Sequence, residues 1–229
     1  MRSIMTGTIV NFFAIIVGAL LGVFLKERFS QKLQEIVMQG LGLAVVLIGL
    51  QMALESKNLL IIIFSLVLGG ITGELIDIEK KLNSLGAYIQ NKFGREDDLF
   101  IQGFVQASLV FCVGAMAIMG AIHDGINNDP TILFNKSILD GFASIAFAAA
   151  TGIGVLFSAF PVLLYQGGIS LLAAFIARFL TEAVIVEMTA TGGLLILAIG
   201  LNLMKVSKIK VGNLLPSLLY AIILSFFIV

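Results

Sequence analysis

The residue in this sequence best suited to binding chemistry is Asp140, a carboxylate in an apolar stretch with Ser137 three residues before it and Ser144 four after. A charged group inside lipid is costly and so carries a partner or a purpose. At the head of a helix it would coordinate an ion or a small polar solute. An acidic residue there is also favourable simply because it faces the helix N-terminus. Amides are the second resource. Gln51 and Asn202 fall late in apolar segments, Asn11 falls a third of the way into the first, and Gln106 shares a face with Gln102. Gln166 follows Tyr165 in another apolar segment. Together they outline a polar seam, fit either to hold a solute or to join helices by hydrogen bonds of ~0.6–2 kcal/mol. Glu74 and Glu182 lie near segment ends, where they read as interfacial.

Other chemistry is poorly supplied. One cysteine, Cys112, and one histidine, His123, leave neither an internal disulfide nor a Cys- or His-based metal cluster. Neither HExxH, GxSxG nor a P-loop occurs, so no enzyme and no cofactor is expected. His123 and Asp124 are adjacent but do not share a helix face, which makes them a weak proton relay. Formal net charge is zero, whereas nucleic-acid binding needs clustered cations to displace counterions.

The elements that must position these groups are membrane helices. Hydrophobic residues make up 59% of the chain and charged ones 12%, against roughly 45–50% and ~25% in soluble domains. A span needs ~20 mostly apolar residues. Eight stretches qualify: Ile4–Leu25, Leu33–Leu54, Leu59–Ile76, Leu99–Ile122, Ser137–Phe157, Val162–Leu180, Ile185–Met204 and Val211–Val229. Only Ser158–Pro161 parts the fifth from the sixth, so seven spans is the alternative. The fifth is rich in small residues, which suits close helix packing or weakened helix ends that expose backbone to a solute. The first is too long for a signal-peptide core. The fold class is therefore all-α, a single polytopic membrane domain over 1–229 with the lipid bilayer as its main partner.

Between the third and fourth spans, residues 75–94 place Leu75, Ile78, Leu82, Leu85, Ile89 and Phe93 at three- and four-residue steps, with Lys and Glu on the other face. That pattern predicts an amphipathic helix lying at the membrane surface, or else a solvated connector. With eight spans, ten Lys and Arg fall on one side, from Lys26 and Arg28 through Lys80 and Arg95 to Lys210. Four fall on the other: Arg2, Lys57, Lys136 and Arg178. The richer side should be cytoplasmic, which leaves both termini outside.

An internal repeat is also legible. A shift of 151 residues lays Gly42–Met52 over Gly193–Leu203 with five of eleven positions identical, and Gln51 falls on Asn202. Apolar sequences converge cheaply, yet the register runs across three spans. It relates spans one to three with spans six to eight. The offset of five spans is odd, so the copies would point oppositely through the bilayer. Such inverted repeats recur in secondary transporters, whose substrates bind near the midplane.

The run Cys112–Gly125, with Lys136–Gly141, Gly154–Ala159, Gln166-Gly167 and the opening Gly7–Asn11, resembles the YdfK/YqgA-type family of small bacterial membrane proteins along the whole chain. That resemblance implies a bacterial plasma-membrane protein and an expectation of transport, without a substrate. The expected function is a small secondary transporter or channel for an ion or small polar solute. A non-transporting scaffold or sensor is the alternative, and a homodimer would suit so thin a bundle.

Overall fold

The structure, a computed structural model, describes residues 5–28, 30–92, 99–178 and 180–228, and contains no strand among them. Arg2, Phe93, Gly94, Arg95 and Val229 lie outside the described residues. In chain order the helices are α1 (Thr6–Lys26), α2 (Gln31–Ala53), α3 (Leu59–Ile76), α4 (Ile78–Lys92), α5 (Phe100–Cys112), α6 (Ala115–Asn127) and α7 (Thr131–Thr151). They continue as α8 (Gly154–Phe157), α9 (Ala159–Leu171), α10 (Ala173–Ile176), α11 (Glu182–Leu203), α12 (Val211–Leu214) and α13 (Ser217–Ile228). Taking α8 with α9 and α12 with α13, seven segments are long and apolar enough to cross a membrane, and eight if the bent pair α5–α6 counts as one span. The expected all-α membrane fold is what the structure has. Large apolar side chains face outward along these helices, among them Phe13, Leu43, Val67, Phe142 and Leu219, each more than half exposed. In water that surface would be unfavourable, whereas lipid tails solvate it.

Two breaks depart from the sequence reading. The fourth span is bent by 61° between α5 and α6, where Val113 is extended and Gly114 takes φ 133°, a conformation open to glycine. Conversely, Pro161 breaks nothing. It sits in the first turn of α9, where its missing N–H removes no intrahelical bond. The chain turns instead at Gly152, with φ 91°. The fifth span is consequently Thr131–Thr151 rather than Ser137–Phe157, and the sixth is Gly154–Leu171 rather than Val162–Leu180. Asp140 therefore lies in the middle of α7 instead of at its head. Lys136, counted from sequence among the outer loop charges, lies inside the same helix and is buried.

The chain clusters into two compact units. The first comprises Met1–Met38 and Gly86–Phe179. Its axis is the α1–α7 pair, where a Cβ on Gly18 or Gly22 would stand 2.2 or 2.3 Å from the carbonyl oxygens of Gly141 and Ile145. That approach lets two membrane helices pack through their backbones, the usual source of association where the hydrophobic effect is absent. Phe111 and Phe147 meet edge to face at 6.0 Å beside this seam.

The second unit comprises Gln39–Leu85 and Leu180–Val229. Helix α11 is its enclosed centre, with 78% of its most apolar window buried against 17% for α2 and 28% for α3. Glycines again set the spacing. Gly42 on α2 approaches Gly200 on α11, and Gly49 approaches Gly193. Helix α3 meets the start of α12 and α13 in the same way, Gly73 against the Asn213 carbonyl and Gly69 against Ser217. Asp77, with φ 55°, turns the chain from α3 into α4. There the Glu79 amide donates to Asn213 Oδ1 at 2.6 Å, and Glu79 Oε2 accepts from the Gly212 amide at 2.6 Å.

Candidate functional site

Helices α1, α7 and α9 of the first unit bring three of the sequence candidates together. Asn11 Nδ2 on α1 donates to Asp140 Oδ2 on α7 at 2.9 Å and lies 3.3 Å from Gln166 Oε1 on α9. Asn11 and Gln166 are wholly buried, and Asp140 is 7% exposed. A fourth member completes the group. Lys136, one turn before Asp140, sets its Nζ 2.5 Å from Asp140 Oδ2. An isolated buried charge would be prohibitive in lipid, and the four-residue step neutralises this one within a single helix.

The remaining candidates do other work. Ser144 is buried but donates to the Asp140 backbone carbonyl at 2.7 Å, a bond within its own helix. Gln106 on α5 keeps a buried Oε1 without a protein partner. Gln51 and Asn202 belong to the second unit. Gln51 is exposed on α2. Asn202 clasps the turn after α11, its Nδ2 donating to the Ile209 carbonyl at 2.7 Å while Oδ1 accepts from Ser207 Oγ at 2.7 Å and Ile209 N at 2.9 Å. The structure thus brings Asn11, Asp140 and Gln166 together and engages Asn202, at the end of α11, with the loop that follows.

Several buried polar groups were not among the binding candidates read from the sequence, which weighed Asp124 only as a weak proton relay with His123. Asp124, at the end of α6, accepts the Gly7 amide at 3.1 Å through Oδ2 and so caps the start of α1. Thr8 on α1 and Ser170 on α9 are buried beside it in sequence terms no one would mark, since hydroxyls in helices usually bond their own backbone. Glu187 on α11 is 1% exposed and accepts from Ser56 Oγ, Lys57 N and Asn58 N at 2.6, 2.7 and 3.1 Å. It anchors the α2–α3 loop.

What the cluster can do follows from its unfilled valences. Asn11 Oδ1 is a free acceptor and Gln166 Nε2 a free donor, both buried. Buried polar atoms are almost always bonded to protein or water, so this pair reads as seats for something else. An apolar groove of about 420 Å³ lies between α1 and α7, lined by Val10, Ala14, Leu21 and Phe142 with Ser137 as its polar member. Such a lining suits hydrocarbon rather than a polar solute. Among the described residues no group of three or more His, Cys, Asp and Glu could hold a metal ion.

Comparison with known proteins agrees with the membrane reading. Residues 6–226 match a family described as "Protein of unknown function (DUF554)". The chain is 36% identical to the "Uncharacterized membrane protein YdfK" of Bacillus subtilis over 219 residues, covering 94% of this chain and 93% of that one. It is 34% identical over 224 residues to the "Uncharacterized protein YqgA" of Escherichia coli, covering 96% and 95%. No solved structure matches.

Proposed function

The chain belongs to the DUF554 family, and we propose that it is a small secondary transporter or channel for an ion or small polar solute in the bacterial plasma membrane. The observation that carries this reading is the cluster Asn11, Lys136, Asp140 and Gln166. It is a polar centre inside a membrane helix bundle, neutral overall, with one acceptor and one donor left unbonded. A membrane protein with only a packing role has no physical need to bury an ion pair and two amides, because each costs desolvation that apolar side chains would avoid.

An inverted repeat fits this function, and the second unit supports it. A shift of 151 residues carries Gly42 to Gly193 and Gly49 to Gly200. It therefore exchanges the two close approaches, Gly42 with Gly200 and Gly193 with Gly49. Under eight spans the loop charges support an orientation with both termini outside. With Lys136 inside a helix, the bias is ten against three instead of ten against four.

The test is charge movement on a solid-supported membrane, with the purified protein in liposomes and a panel of Na⁺, K⁺, H⁺, Mg²⁺, halides, small organic acids and amines. A solute-dependent current that Asp140→Asn removes is the expected result. Silence from folded protein, together with no radiotracer uptake by electroneutral exchange, would overturn the reading in favour of a scaffold or sensor.

A further inference from the structure

The unbonded buried polar atoms of the first unit gather where three helices meet. Thr8 Oγ1, Asn11 Oδ1, Asp124 Oδ1, Gln166 Nε2 and Ser170 Oγ all lack a protein partner, and each of these residues is at most 2% exposed. Their backbones adjoin. Asp124 Oδ2 takes the Gly7 amide at 3.1 Å, and the Thr8 amide also bonds that carboxylate. A Cβ on Gly125 would stand 2.2 Å from the Ser170 carbonyl oxygen, so the end of α6 touches α9 at Ser170. One turn along, Asn11 meets Gln166. The start of α1, the end of α6 and the end of α9 thus adjoin, and each carries one or more of these residues.

The donor types select the ligand. Four of the five unbonded atoms are hydroxyl, amide or carboxylate oxygens, the donors preferred by hard cations over soft metals. Charge then selects valence. Asp140 is already neutralised by Lys136, whereas no cationic side chain among the described residues pairs with Asp124. With its carboxylate held only by backbone amides at the start of α1, the buried site offers one negative charge, which matches a monovalent ion, and a divalent ion would leave a surplus charge buried. Helices α6 and α9 both end here, at Asn127 and Leu171, and helix C-termini favour cations. The fifth atom, Gln166 Nε2, is a donor, unsuited to a cation and left for a solute.

We infer that Thr8, Asn11, Asp124 and Ser170 form a binding site for a monovalent alkali cation. That this ion couples solute movement rests on the transport reading; its binding does not.

The experiment is thermal unfolding of the full chain in detergent during a NaCl titration against choline chloride at constant ionic strength, repeated with KCl. A ligand that binds only the folded state raises stability as the logarithm of its concentration. The wild type should gain Tm with NaCl or KCl relative to choline chloride. Ser170→Ala and Thr8→Val should each raise the half-saturating NaCl concentration by about tenfold, equivalent to ~1.4 kcal/mol, and Asp124→Asn should abolish the response. Where Asp124→Asn does not fold because α1 has lost its cap, the two hydroxyl variants decide. Identical Tm values in all three chlorides, or hydroxyl variants that keep the wild-type response, would overturn the site. Stabilisation by NaCl in a protein that moves no solute would leave the site standing and sink transport. Solute currents without any cation-specific stabilisation would do the reverse.

Discussion

Asn11 on α1 holds the carboxylate of Asp140 on α7, 129 residues away in sequence, by a buried amide hydrogen bond of 2.9 Å. The same amide nitrogen reaches Gln166 on α9, so one side chain ties three membrane helices. Replacing it with an apolar isostere strands Gln166 Oε1 and leaves Asp140 Oδ2 with Lys136 alone.

Asn11→Leu should therefore lower stability by about 1–3 kcal/mol, the cost of unpaired buried polar groups, and should abolish solute movement. Thermal unfolding in detergent reads the first and liposome uptake the second. An unchanged Tm would mean that lipid-embedded Asp140 needs no partner beyond Lys136.

Lys136 and Asp140 should behave as a unit. Lys136→Met leaves a buried carboxylate unpaired, and Asp140→Asn leaves a buried ammonium unpaired; each should cost ~3–5 kcal/mol. The double variant buries no charge, so it should be less destabilised than the sum of the singles, with a coupling of about 0.5–3 kcal/mol measured from the four proteins. Additive losses would show that the two side chains do not share a proton-tight pair in the membrane.

Much of this was legible in the sequence, for a physical reason. Lipid demands ~20 continuous apolar residues per span, so the spans stand out, and polar side chains inside them are conspicuous; Asn11, Asp140 and Gln166 were singled out that way. Boundaries were less legible. Proline marks a break only in a helix interior, and Pro161 falls in a first turn, while Gly114 and Gly152 look like any other glycine of a tightly packed bundle. Starting the fifth span at Ser137 put Lys136 in a loop and hid its pairing with Asp140. Asn202 and Gln51 are matched by the 151-residue shift, but Ser207 and Ile209 give Asn202 local partners. Nothing in the sequence near Glu187 signalled that a loop 130 residues away would bond to it.

The α2–α11 contact depends on bare glycines. A Cβ at Gly49 would lie 2.4 Å from Leu197 N and 2.6 Å from the Gly193 oxygen, and one at Gly193 would lie 2.6 Å from Ala53 N. Backbone atoms cannot step aside as a side chain tip can, so Gly49→Ala and Gly193→Ala should each destabilise by about 1–3 kcal/mol. Gly40, on the same α2 helix, has nothing within 4 Å. Gly40→Ala should instead be neutral or stabilising by up to ~1 kcal/mol through helix propensity. Equal effects at all three positions would deny the close approach.

Glu187 carries the last prediction. Its carboxylate takes three hydrogen bonds from Ser56, Lys57 and Asn58, through Oε2 from the serine hydroxyl and through Oε1 from both amides. Glu187→Gln keeps the volume but turns one acceptor oxygen into a donor, so one set of bonds must break. If the amide oxygen faces Lys57 and Asn58, the serine hydroxyl can rotate to accept from the new N–H, and the loss is small. If the amide nitrogen faces them, two backbone donors are opposed. The first arrangement is lower in energy, so Glu187→Gln should cost only ~1 kcal/mol, whereas Glu187→Leu, which strands all three donors, should cost about 1–3 kcal/mol or more. Hydrogen exchange over residues 56–60 should accelerate strongly in Glu187→Leu and weakly in Glu187→Gln. Equal, wild-type protection in both would show that the loop is held by the flanking helices alone.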